Sequence, residues 1–137
     1  MFYIWFMQAH AAKPITVRPY ALDERTKKFA WNVRVFIKRI PFQRNTAEDC
    51  DQLLRSSGSV GANYIEAKEA LSKKDFLFHI RICRKEAKES AFWLEMLKIT
   101  ISEELETERL ILATECNEII SIFARIAKTT EANLMKS

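Results

Sequence analysis

The chain has 137 residues, a length that suits one domain and leaves enough chain for a sizeable core. With 48% hydrophobic and 29% charged residues, it reads as a soluble globular protein and not as a disordered one. Two glycines and three prolines cannot supply the turns of a sheet protein, which leaves a few long helices.

The first seven residues, MFYIWFM, are strongly apolar, but a membrane-spanning helix needs about 20. Lys13 follows this run, whereas a secretion signal places its positive charge before the apolar core. No membrane association is therefore expected, and a cytoplasmic location is. Residues 1–21, broken by Pro14 and Pro19, read as an apolar extension outside the folded domain. They would cover an apolar patch, bind a partner, or reflect a start codon placed too early.

The domain itself is expected over residues 22–130, as four helices, with residues 131–137 as a tail. The first helix runs from about Leu22 to Ile40. Phe29, Val33, Phe36, Ile37 and Ile40 share one helical face, and Pro41 ends it. Asn45 or Thr46 is the expected cap of the second helix, with Glu48 and Asp49 in its first turn, where the helix dipole favours negative charge. Its seam is Cys50, Leu53, Ser57, Val60, Tyr64, Ala67 and Leu71, in alternating steps of three and four.

Ser72 caps the third helix, with Asp75 at the capping-box position. Phe76, Ile80, Cys83, Ala87, Ser90, Leu94, Leu97 and Ile101 form its seam. Ser102 caps the fourth helix, whose stripe is Leu105, Leu112, Cys116, Ile119, Phe123 and Ile126. Short connections make neighbouring helices antiparallel. The expected fold is all-α, an up-down-up-down four-helix bundle.

Both glycines lie in one stretch, GSVG, at positions 58–61. A phosphate loop needs a Lys after its last glycine and a strand before its first, and a dinucleotide fingerprint needs a third glycine. None is present. The heptad pattern passes straight through GSVG, so it reads as helix. Two glycines there cost about 2 kcal/mol of helix propensity relative to alanine. Small residues at Ser56, Ser57, Gly58, Ser59, Gly61 and Ala62 would offset this by close packing against the thin seam of the third helix at Cys83, Ala87 and Ser90. A hinge or a ligand contact is the other reading.

Enzymatic and metal readings find little support. Cys50, Cys83 and Cys116 form no CxxC pair, and the sequences around them do not repeat. They read as buried, reduced thiols. Glu66/Glu69, Glu86/Glu89 and Glu115/Glu118 have the spacing of bundle metal sites, but no His lies three residues after any Glu. His79 reads as a packing or interface residue. No metal, cofactor or catalytic residue is expected.

The stretch Leu53 to Leu97 resembles a known family. Its features are Arg55 followed by small residues, the S-V-G-A-N run ending at Asn63, Glu66, and the Ser72-Lys-Lys-Asp75-Phe76 start of the third helix. The Arg84-Lys85-Glu86-Ala87 cluster, Glu89 and Trp93-Leu94 continue the match. Together they are similar to the four-helix-bundle proteins of intervening sequences in bacterial 23S ribosomal RNA genes. Where many relatives carry a glycine after the Glu66 position, this chain has Ala67 and Lys68. The resemblance implies a homo-oligomer, a pentameric ring. It also implies kinship with the accessory variability determinant of diversity-generating retroelements, a basic barrel that associates with a reverse transcriptase and nucleic acid. It supplies no catalytic residues.

Two surface features bear on partners. Phe78, Ile82, Phe92, Trp93 and Met96 lie off the seam of the third helix, and Ile111, Ile120 and Ile122 off that of the fourth. They read as an oligomer interface, or as the margin of a broad core stripe. Residues 13–44 carry nine Lys/Arg against two Asp/Glu, while residues 91–137 carry five against eight. On the third helix Arg81, Arg84, Lys85 and Lys88 share a face, with Lys73 and Lys74 near its start; on the first, Lys27, Arg34 and Lys38 align. Such stripes neutralise phosphates of RNA or DNA. Against that stand Glu86, Glu89 and Asp75, which would simply pair with them. The functional expectation is a non-enzymatic RNA-binding accessory protein. The alternative is a protein-interaction scaffold.

Overall fold

Helix boundaries follow from a few residues. The computed structural model describes residues 19–99 and 102–136. Among them are α1 (Pro19–Arg39), α2 (Arg44–Lys68), α3 (Lys73–Met96) and α4 (Glu103–Met135), with a 3-10 turn over Leu97–Ile99, and no strand. Pro19 is the first residue of α1, a position where its missing N–H costs nothing. The chain leaves the helix at Ile40, before Pro41. Ser72 and Ser102 accept hydrogen bonds from the Asp75 and Leu105 amides at 3.1 and 3.3 Å, as expected of both caps.

Several expected boundaries differ. The N-cap of α2 is Gln43, not Asn45 or Thr46, and its side chain makes no capping bond. Gln43 is extended, and its carbonyl accepts from the Thr46 and Ala47 amides and from the Thr46 hydroxyl. The helix thus starts early enough to place Glu48 and Asp49 beyond the first turn. The expected tail is not separate, because α4 continues to Met135. α1 takes in three residues set apart as extension; residues 1–18 and Ile101 lie outside the described residues.

Every seam is antiparallel. Arg25 meets Glu115 while Arg39 meets Glu104, so α1 and α4 run oppositely. Lys68 pairs with Asp23 at 2.5 Å, and farther along the α1/α2 seam Gly58 lies beside the Arg34 side chain. Arg109 reaches the Leu94 carbonyl, and Arg81 meets Glu131. Each helix packs on its neighbours in sequence, and α1 closes the ring on α4. The result is an antiparallel four-helix bundle, with α1 and α3 on one diagonal.

The core is close to the predicted seams. Phe29, Val33, Phe36, Leu53, Val60, Ile80, Cys83, Ala87, Leu94, Leu97, Cys116, Ile119 and Phe123 are fully buried. Two assignments shift. Leu77 is buried while Phe76 is half-buried, and Leu71 is fully exposed, because α2 has already ended at Lys68 and the link carries Leu71 into solvent. Ile122, expected off the core, belongs to it.

GSVG is helical, with neither glycine at positive φ. The small residues of α2 serve two neighbours. Ser56 faces α3, its hydroxyl 2.9 Å from that of Ser90. The glycines face α1, not α3 as expected. A methyl group on Gly61 would stand 3.2 Å from Thr26 Oγ1 and 3.5 Å from Thr26 Cβ; one on Gly58 would stand 3.3 Å from Arg34 Nη2. Thr26 is β-branched and its hydroxyl is held by the Leu22 and Asp23 carbonyls. It cannot yield easily, whereas the tip of Arg34 can. Gly58→Ala is therefore expected to stabilise the fold by up to about 1 kcal/mol through helix propensity. Gly61→Ala is expected to gain none of this. Urea unfolding of the two variants checks the contrast, and equal gains would refute it.

Candidate functional site

The third helix displays its cations outward because its inward face is already taken by Ile80, Cys83, Ala87, Ser90 and Leu94. Lys73, Lys74, Arg81, Arg84, Lys85 and Lys88 are all exposed. Arg81 meets Glu131 of α4 at 3.2 Å. Among the described residues, the other five make no ion pair.

The carboxylates expected to compensate them are otherwise placed. Asp75 lies 3.4 Å from His79 Nε2. Glu86 and Glu89 are half-buried. Burial pushes the Glu86 carboxyl above its ordinary value, and the nearby charge of Glu89 adds to the rise, with Lys85 opposing it. The stripe therefore presents positive charge that its own helix does not cancel.

Arg34 and Lys38 do not join this stripe. They sit on α1, diagonally across the bundle. Arg34 lines a groove between α1 and α2, about 760 Å³ in volume, together with Lys27, Trp31, Gly58, Gly61, Ile65 and Lys68. The Arg34 guanidinium donates to the Ala30 carbonyl at 3.1 Å. Trp31 was not singled out from sequence, although it continues the Lys27–Arg34–Lys38 spacing; it is 54% exposed.

Five residues expected at an oligomer interface divide by exposure. Phe78, Phe92 and Met96 are exposed; Ile82 and Trp93 are half-buried. Phe92 and Trp93 pack edge to face, centroids 4.8 Å apart. His79 meets Phe78 edge to face at 5.2 Å. Lys85 and Glu89 fall at helical spacing between Ile82 and Phe92, so the apolar band has two lobes.

Several buried polar groups escaped the sequence reading. Glu115, on the inner side of α4, is 1% exposed and receives Arg25 through two donors, Nη2 at 2.7 Å and Nε at 3.0 Å. The same Nη2 reaches Glu118 at 2.5 Å. Glu115/Glu118 thus holds an arginine. Arg39 joins Glu108 and Glu104 one seam length away. Burial pushes the Glu108 carboxyl up, against the pull of Arg39. Arg109 is buried and bonds both the Leu94 carbonyl and Glu106, whose carboxyl it holds below its ordinary value. These arrangements fasten helices together.

Cys83 and Cys116 are fully buried, and burial pushes both thiols up to about 12. Such thiols are poor nucleophiles. Cys116 instead donates to the Ala87 carbonyl at 3.0 Å. Among the described residues no three His, Cys, Asp or Glu side chains gather as a metal ligand set, and no helix is long and apolar enough to cross a membrane.

Comparison with known proteins agrees with this architecture. A crystal structure from Bacteroides thetaiotaomicron, described as a protein of unknown function from the S23 ribosomal protein family, is 28% identical. The match covers 82% of this chain and 99% of that one, with a TM-score of 0.71. No curated protein matches. The family model for the 23S rRNA-intervening sequence protein matches residues 22–132, the span of the bundle, and the chain belongs to that family.

Proposed function

We propose that this protein is a non-enzymatic, self-associating accessory protein that binds structured RNA through the exposed face of α3. The observation that carries this reading is the set Lys73, Lys74, Arg84, Lys85 and Lys88, exposed on one helix and without an ion pair among the described residues. Phosphate neutralisation by such a set releases counterions and gives an affinity that falls steeply with salt. The exposed apolar side chains Phe78, Phe92 and Met96 support association with further copies of the chain, which would repeat the basic face around a ring.

The test is titration of nuclease-treated protein into labelled structured RNA over a salt series. The triple variant Arg84→Glu, Lys85→Glu, Lys88→Glu is expected to bind more weakly. Its log–log salt slope should be shallower by about 0.9 per lost phosphate contact, or roughly 3 in all. Wild-type protein that binds no RNA at low salt, or a triple variant with an unchanged slope, overturns the reading. Either result would favour the scaffold alternative, which predicts a protein partner retained after nuclease treatment.

A further inference from the structure

We infer that the groove between α1 and α2 is a second nucleic-acid surface, one that seats a single RNA strand with a base stacked on Trp31. The inference shares with the preceding reading the premise that the chain binds RNA, but it rests on different residues across the bundle.

Lys27, Trp31, Arg34 and Lys38 occupy positions i, i+4, i+7 and i+11 of α1, one continuous face. They span about 16 Å of helix. None of the three cations makes an ion pair among the described residues. Trp31 is 54% exposed, a large apolar side chain kept in water between cations. The floor beside it is low, because Gly58, Gly61 and Ala62 present almost no side chain. At about 760 Å³ the groove falls in the size range of small-ligand clefts.

A basic track with an aromatic platform is what binds single strands without sequence preference. The cations neutralise successive phosphates while the indole face receives a base. Charge orders the groove along its length. Asp23 and Glu24 lie at its α1 start beside Lys27, with Asp23 neutralised by Lys68, while Arg34 farther along the groove and Lys38 beyond its lining continue the basic face. The groove fits a partner helix less well. A helix docked in a groove uses a row of apolar anchors, and here only Trp31 and Ile65 are both large and exposed. A duplex presents stacked bases that Trp31 cannot reach.

The probe is a labelled ten-nucleotide oligouridine, with a blunt RNA duplex for comparison. Trp31→Ala is expected to weaken oligouridine binding by about tenfold or more. Trp31→Phe should retain most of it. Lys27→Glu with Arg34→Glu should weaken binding and flatten its salt slope. Tryptophan fluorescence should be quenched on binding by the wild type and less so by Trp31→Phe, because Trp31 is one of three tryptophans and, among the described residues, the one exposed in the groove. Thermal unfolding of Trp31→Ala should show the protein still folded at the titration temperature, so that lost binding is not lost fold.

Wild-type affinity for oligouridine in Trp31→Ala overturns the inference, as does absence of oligouridine binding at low salt. So does an acidic helical peptide that fills the groove and that oligouridine cannot displace. The α3 triple variant separates the two readings. If it loses structured RNA while Trp31→Ala binds oligouridine normally, the groove fails and α3 stands. If it binds structured RNA as wild type while Trp31→Ala loses oligouridine, α3 fails and the groove stands.

Discussion

Arg25→Met is expected to lower the unfolding free energy by about 3 kcal/mol near neutral pH. The guanidinium is 15% exposed and the Glu115 carboxylate only 1%, so water screens neither well. Their fork of two hydrogen bonds joins residues 90 apart in the chain, across the α1/α4 seam. Methionine keeps much of the volume and removes the charge. Glu115 then remains in the interior without the cation that met both its oxygens. Removing one member of a buried pair is costly for this reason, while replacing both with apolar groups is often near neutral. The double variant Arg25→Met, Glu115→Leu should therefore recover most of the loss. Urea denaturation of the two single variants and the double variant measures the coupling. A midpoint for Arg25→Met equal to wild type would show that the pair contributes nothing.

Phe123→Ala should cost about 3–5 kcal/mol, the largest single-site loss expected here. Phe123 is fully buried on α4 and meets Tyr64 of α2 edge to face, centroids 5.7 Å apart. Truncation removes the ring from an apolar site, opens a cavity in a core packed at solid-like density, and forfeits the aromatic pair. Phe42→Ala supplies the contrast. Phe42 is 87% exposed between α1 and α2, and its loss should stay within about 0.5 kcal/mol. Both come from the same denaturation experiment. Equal effects would mean that burial in this bundle does not set the energetic scale.

Much of the architecture was legible in the sequence because heptad spacing records which side of a helix faces inward. Leu53, Val60, Tyr64, Ile80, Cys83 and Ala87 could be placed in the core on that ground alone. Spacing does not say which neighbour a side chain meets. GSVG could be read as a packing notch, but the partner of its glycines is α1, and only the packed bundle reveals it. The buried charges of α4 were not legible for a related reason. Spacing singled out neither Glu108 nor Arg109, and it offered Glu115 with Glu118 only as a metal pair to be set aside, yet all three are buried against a partner on another turn or helix. Trp31 was passed over because it lies off the core stripe, and its meaning depends on the groove that α2 forms beside it.

The closure of α1 on α4 has a consequence for motion. Among the described residues this seam is fastened at each end by arginine–glutamate clusters, and between them lies Asn32, a buried amide with neither polar atom bonded. The two ends are unequal. Arg25 is sheltered, while Arg39 and its partner Glu104 are open to solvent ions. The Arg39–Glu104 contact is therefore expected to weaken with salt before the Arg25–Glu115 contact does, which amide exchange along α1 at low and high salt would show as faster exchange near Arg39. Added salt is thus expected to loosen one end of the bundle as well as to screen its surface charge.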